Sequence, residues 1–125
     1  MKKTHSSDNA PPTGAAPLSH AVEANGLVFT SGQIHLNADM ELVGDTTAEK
    51  TKQTMANLES ILEAAGLSIA NVIKTTIYVT DMNIYSDLNE VYSTYFESDY
   101  PAREVICVKE LPLGASLEIS MVAAR

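Results

Sequence analysis

The sequence predicts an α+β domain in the order β-β-α-β-α-β-β, one sheet with two helices on one face. Three observations carry this. Asn25-Gly26 separates two short apolar runs, and Asn-Gly in that position is the strongest local hairpin signal. Thr46-x-x-Glu49 is a capping-box pattern ahead of residues at helical spacing. The runs from 72 to 80, 104 to 109 and 116 to 124 alternate with the period of two that strands require.

Taken in order, residues 1–15 are polar or small, with Pro11-Pro12 and Gly14, and are expected as a partly extended tail. Residues 16–125 are expected as a single domain. Leu27 to Thr30 is a compact strand, and Ser31-Gly32-Gln33 ends the hairpin. Residues 35–44 read as a loop with short strand pieces. The first helix carries Ala48, Met55, Leu58, Leu62 and Ala65 on its apolar face, and Gly66 stops it. Lys50, Lys52, Gln53, Asn57 and Glu59 fall mainly on its wet side. In the next strand Ile73, Thr75, Ile77 and Val79 point one way, and Val72, Lys74, Thr76 and Tyr78 the other. The second helix runs from about Ile84 to Phe96, capped by Asp81 or Asn83, and Pro101 forbids its continuation.

The last two runs are joined by Leu111-Pro112-Leu113-Gly114, a turn signal. If they pair as a hairpin, Arg103 falls opposite about Val122, on the face that carries Glu118 and about 13 Å from it. That gap would hold a small anion, or a group from another subunit. Two helices cover one face of the sheet. On the other, Val72, Tyr78, Val105, Cys107 and Val122 compete with Arg103, Glu118 and Ser120. A half-apolar open face predicts self-association, the plain alternative being an edge-strand cover by the N-terminal segment.

Composition narrows the function. Of 125 residues, 16 are Asp or Glu and 8 are Lys or Arg, giving a net charge of −8. No basic patch appears, which argues against nucleic acid and against an anionic membrane surface as partner. No run approaches the ~18 apolar residues of a membrane span, and no apolar segment follows Met1-Lys2-Lys3. The single Cys107 forms no intrachain disulfide and is expected as a small buried hydrophobe. These features suit a cytoplasmic protein. His5, His20 and His35 lie far apart without ligand spacing, so no metal site is expected.

An ordered set of motifs resembles a known family. Pro101-Ala102-Arg103, Leu111-Pro112 and Leu117-Glu118-Ile119 resemble the signature of the Rid family, the reactive intermediate deaminases also called YjgF proteins. Thr30-Ser31-Gly32-Gln33-Ile34, then Ala64-Ala65-Gly66-Leu67 with Val72 to Thr76, then Asn89 with Tyr92 and Phe96 agree in order. The resemblance spans about Asn9 to Ala124. It implies a chorismate-mutase-like fold, assembled as a homotrimer with sites between subunits. It also implies hydrolysis of enamines and imines to 2-keto acids and ammonia, without a cofactor or metal, on a small carboxylate substrate.

That chemistry needs a cation for the substrate carboxylate, and the planar fork of Arg binds carboxylates in a bidentate way. It also needs a group that orients or activates water. By the resemblance, Arg103 is the first and Glu118 the second. Ser31, Gly32 and Asn89 would line or support the pocket, and Val105 would offer backbone groups. The plain alternative for Arg103 and Glu118 is an ion pair without catalysis. Leu18 stands where typical enamine deaminases of the family carry a pocket Tyr. Val105 stands where many carry Cys, and Glu104 adds a carboxylate beside Arg103. The resemblance with Leu18 in place implies either a pocket more apolar on one wall or a protein that binds 2-keto acids or related metabolites without turnover.

Overall fold

In the computed structural model, which describes residues 1–125, one mixed sheet carries two helices on a single face. The strands are β1 (Lys3–His5), β2 (Ala21–Ala24), β3 (Leu27–Thr30), β4 (Gln33–Ile34), β5 (Val72–Val79), β6 (Ala102–Cys107) and β7 (Leu117–Ala124). Helix α1 (Thr47–Ala64) lies between β4 and β5, and α2 (Tyr85–Ser93) between β5 and β6. The sheet order is β1-β2-β3-β7-β5-β6, with β4 also pairing with β7. Only β5 and β6 run parallel. Two strands, β1 and β4, add to the predicted order. The N-terminal segment is tied down: β1 pairs antiparallel with β2, and Ala10 is buried in the core.

Local chemistry accounts for the boundaries. Asn25 (φ 53°) and Gly26 (φ 77°) both take left-handed backbone, as a tight two-residue hairpin demands. Thr46 caps α1 as expected: its hydroxyl accepts from the Glu49 amide, and Glu49 accepts from the Thr46 amide. Gly66 (φ 77°) ends that helix. Asp81 accepts from the Asn83 amide in a single 3-10 turn that leads into α2. The core lies between helices and sheet. Met55, Leu58, Ile61 and Leu62 of α1 are fully buried against Val28, Ile77, Val79, Leu117 and Ile119.

Four expectations need correction. First, β6 and β7 form no hairpin. β7 is flanked by β3 and β4 on one edge and β5 on the other. A β5-α2-β6 crossover lays β6 on the far side of β5, because parallel neighbours need a long connection. Alternation shows that a run is a strand but not which strand it meets. Second, Val72 is buried and Ile73 is exposed. The register shifts between Val72 and Lys74, and such a bulge reverses the facing of the residues before it.

Third, Asn57 lies on the buried side of α1. Its amide donates to the Ile34 carbonyl (3.3 Å) and the Leu36 carbonyl (2.8 Å), and its Oδ1 accepts from Gln53 (2.9 Å). This side chain fixes the segment around β4 to the helix. Fourth, Cys107 is exposed, at the end of edge strand β6. No helix is long and apolar enough to cross a membrane.

Asn57→Ala would strand two carbonyls that are satisfied by one amide. Leaving buried polar groups unmet costs about 2–4 kcal/mol in total. Denaturant unfolding should show a loss of that size, and hydrogen exchange should show faster opening at residues 33–36.

Candidate functional site

The expected site residues fall into two groups on opposite faces of the sheet. Alternation along β7 decides one group. Leu117, Ile119 and Met121 point into the core, so Glu118 points to the open face. Alternation along β6 decides the other. Arg103 pairs in register with buried Thr75 and rises on the helix side. The expectation that Arg103 and Glu118 share a face is therefore corrected. β5 lies between their strands, and Glu118 aligns with Tyr78 and Ile106, three residues further along β6 than Arg103. Sheet spacing alone separates the two backbones by about 14 Å. They form no ion pair within one chain.

The Arg103 group is built on α2. Its Nη1 donates to Asn89 Oδ1 at 2.7 Å, and its Nη2 donates to the Tyr85 hydroxyl at 3.1 Å. The guanidinium carbon sits 5.1 Å from the centroid of the Tyr92 ring and 5.6 Å from that of Tyr85. Tyr92 is fixed in turn, because its hydroxyl donates to Thr75 Oγ1 at 3.0 Å. Arg103 and Asn89 line a shallow hollow with Tyr92, Ser93, Tyr100 and Pro101. A guanidinium held at two corners by neutral acceptors keeps its charge available for a carboxylate. Asn89 thus has a role that its sequence position alone left open.

Two tyrosines of α2 belong to this group, Tyr92 from within the core, where it is buried, and Tyr85 from an exposed position. Their signal was present. Tyr85, Asn89 and Tyr92 stand at i, i+4 and i+7, on one face of a helix.

The Glu118 group lies on the open face. Its carboxylate rests against Gly32, where an added Cβ would collide with it. The glycine is needed for this close approach. Gly32 is placed by its neighbours: Gln33 pairs with Ile119, Ile34 pairs with Glu118, and Asn57 holds the following turn. Burial pushes the Glu118 carboxyl above its ordinary pKa, and no cation or donor offsets that burial. Leu18, Gly32 and Glu118 line one hollow of about 250 Å3 with Ile34, Leu36 and Met40. Ser31 turns away: its hydroxyl donates to the Ser19 carbonyl at 2.6 Å and its amide donates to the His20 carbonyl at 2.9 Å, which fixes the approach to Gly32. His20 is buried; it accepts from the Ser7 amide at Nδ1 (3.1 Å) and bonds the Pro11 carbonyl through Nε2 (2.7 Å), pinning the N-terminal segment over this hollow. Val105, expected on the open face, packs instead on the core on the helix side, because its strand β6 pairs in parallel with β5 and sets Val105 beside buried Ile77.

A carboxyl with a raised pKa is charged at neutral pH against its surroundings. Folded Glu118 takes up its proton more readily than the unfolded chain does, so its burial destabilises the fold above the unfolded value. Glu118→Gln should therefore raise the melting temperature at pH 7. The gain should vanish as pH falls through about 4.5, the ordinary value, where the carboxyl is protonated in both states. Melting curves of both proteins from pH 3 to 8 measure this.

Known proteins are similar to this chain in sequence and fold. The family described as Endoribonuclease L-PSP matches residues 8–125. A RutC family protein of Aquifex aeolicus is 44% identical over 116 residues, covering 91% of this chain and 93% of its own. The 2-iminobutanoate/2-iminopropanoate deaminase of Homo sapiens is 40% identical over 115 residues, covering 91% of this chain and 84% of its own. A Yersinia pestis structure named as YyfA of the conserved Rid protein family superposes with a TM-score of 0.95 at 35% identity, covering 100% of both chains. By its fold, the family match and these relatives, the chain belongs to the Rid family, also called YjgF/RutC.

Proposed function

We propose that this protein hydrolyses 2-imino acids and their enamine tautomers to 2-keto acids and ammonia, at sites completed by neighbouring copies in a homotrimer. The observation that carries the proposal is the Glu118 carboxyl. It sits against Gly32 in a mostly apolar hollow, with its pKa raised by burial and no cation beside it. A carboxyl tuned toward neutrality can pass protons to and from water. Relatives near 40% identity that are named imine deaminases support the reaction class.

The chemistry follows from the two groups. Arg103 binds the substrate carboxylate through guanidinium hydrogens not committed to Asn89 and Tyr85. Glu118 takes a proton from water as the water oxygen bonds to the carbon of the protonated imine, and the C=N electron pair returns to nitrogen, leaving a neutral amine. The tetrahedral intermediate then collapses. Glu118 returns its proton to the amine nitrogen, the carbon–nitrogen bond breaks as the hydroxyl oxygen forms the ketone, ammonia leaves, and the hydroxyl proton passes to the freed Glu118 carboxylate and on to solvent. One water is consumed and no electrons are exchanged. Edge strand β6 brings the backbone of Val105 beside Arg103, where its polar groups can meet the substrate. Gly32 gives the substrate room next to Glu118.

The separation of the two groups motivates the trimer. One chain cannot bring Arg103 and Glu118 to one small molecule, since the sheet lies between them. The open face exposes Phe29, Ile73 and Ile106, apolar area that a second copy would cover. A trimer that lays one subunit's β6 edge beside the next subunit's Glu118 face would close three equivalent sites.

A second reading is favoured by Leu18. With no hydroxyl there, the hollow could hold a 2-keto acid without turnover. The ribonuclease named in the family's description has the weakest support, because a net charge of −8 repels a polyanion.

Imines generated in situ by an amino-acid oxidase, with semicarbazide as competing trap, provide the assay. Arg103→Ala should lower kcat/KM by roughly 10²- to 10³-fold, the effect of removing one partner of a desolvated charge pair. Unchanged hydrolysis would refute the assignment. Mixing Arg103→Ala and Glu118→Ala subunits, each inactive alone, should restore activity by assembling intact sites across mixed interfaces. Mixed trimers that stay inactive would place both residues in one subunit's site. Ligand-induced stabilisation without turnover in the wild type would favour the binding reading.

A further inference from the structure

Four residues other than glycine adopt left-handed backbone: Asn25, Met40, Asp99 and Leu113. Asn and Asp tolerate that region because their short polar side chains bond locally. Met and Leu have no such compensation, and uncompensated backbone strain gathers at functional sites. Met40 (φ 64°) and Leu113 (φ 58°) come from loops more than seventy positions apart, yet both line the hollow that contains Glu118. The two residues are 53% and 65% exposed, so core packing does not explain them.

Both loops are braced to hold this conformation. Asn37 organises the Met40 loop. Its Oδ1 accepts from the Asp39 amide (2.9 Å) and the Glu41 amide (3.0 Å), and its carbonyl accepts from the Met40 amide (3.0 Å). Leu36 and Leu42 form a bridge below the turn. On the other side Pro112 opens a 3-10 turn, and the Ala115 amide donates to the Pro112 carbonyl at 3.1 Å. Leu111 and Ala115 anchor that turn on Ile34 and Leu36. Two braced loops thus present apolar side chains to a hollow that is also lined by exposed Leu18 and by buried Ile34 and Leu36.

From this geometry we infer that the hollow selects 2-imino acids with a long or branched aliphatic side chain. Met40, Leu113 and Leu18 are the specificity-determining residues. The inference rests on the proposed function for the position of the reacting carbon, beside Glu118. The side chain then extends away from Gly32 into the hollow. A space of about 250 Å3 is many times the 10–15 Å3 that one water centre occupies. A methyl group would leave most of it wet, whereas four carbons would displace that water onto apolar walls. A pocket that fits an added methylene discriminates by about tenfold or more.

Two measurements separate this inference from the reading beneath it. Binding of the unreactive products, pyruvate and 4-methyl-2-oxopentanoate, is measured by calorimetry on the assembled wild type and on Met40→Gly and Leu113→Gly. Glycine relieves the backbone strain, so both variants should fold. The wild type should bind the branched acid at least about tenfold more tightly, and each variant should shrink that ratio about threefold or more. A wild type without preference for the branched acid, or a ratio unmoved in both variants, overturns the inference. Turnover of imines made from alanine and leucine is measured in parallel and should follow the same ratios. Selective binding with no turnover of either imine would sustain the pocket assignment and overturn the catalytic reading.

Discussion

Strand β7 is paired on both of its edges, with β3 and β4 on one side and β5 on the other. The placement of Glu118 depends on that constraint. A strand held on two sides cannot slip by one residue without turning Leu117, Ile119, Met121 and Ala123 out of the core. The same lock fixes Glu118 on the open face. A carboxyl is thereby kept in a place where burial disfavours its charge, because the burial of its four apolar neighbours outweighs its own cost.

Arg103 is held by a different principle. It stands on an edge strand with one neighbour, where backbone pairing alone gives little rigidity. Helix α2 supplies what the sheet does not. Asn89 and Tyr85 bond the guanidinium, and Tyr92 lies under it while anchored on Thr75. The molecule thus combines a cation positioned by side chains with a carboxyl positioned by backbone register. Their location on opposite faces keeps the two groups apart within one chain, with β5 between their strands.

Much of this was legible in the sequence. The capping box at Thr46 and the Asn25-Gly26 turn are local signals, and local signals survive folding unchanged. The ordered motifs from Thr30 to Ile119 identified the family and singled out Arg103 and Glu118. What escaped was non-local. Sequence alternation cannot say that β6 pairs with β5 and not with β7, so Arg103 was expected on the wrong face. A bulge at Val72 to Lys74 inverted Val72 and Ile73. Asn57 looks like a wet helix residue, since nothing in its own segment reveals two carbonyls over twenty positions away that need a donor. The turn around Leu113 is signalled by Pro112 and Gly114, but the left-handed backbone of Met40 and Leu113 is not, because it is ordinarily announced by Gly or Asn.

The central place of β7 also shapes how the molecule is assembled. The strand follows every other element along the chain, yet β3 and β5 each need it as a neighbour. During synthesis both must wait with unpaired edges, and the pairing that joins them spans most of the chain. Contacts so distant in sequence form slowly, and waiting strand edges are prone to pair with other chains. The α1 helix with its cap, and the β2–β3 hairpin, can form early from local contacts. The two halves of the sheet become one only when the final strand slots between them, so the folding of this protein is gated by the same eight residues that carry its acid.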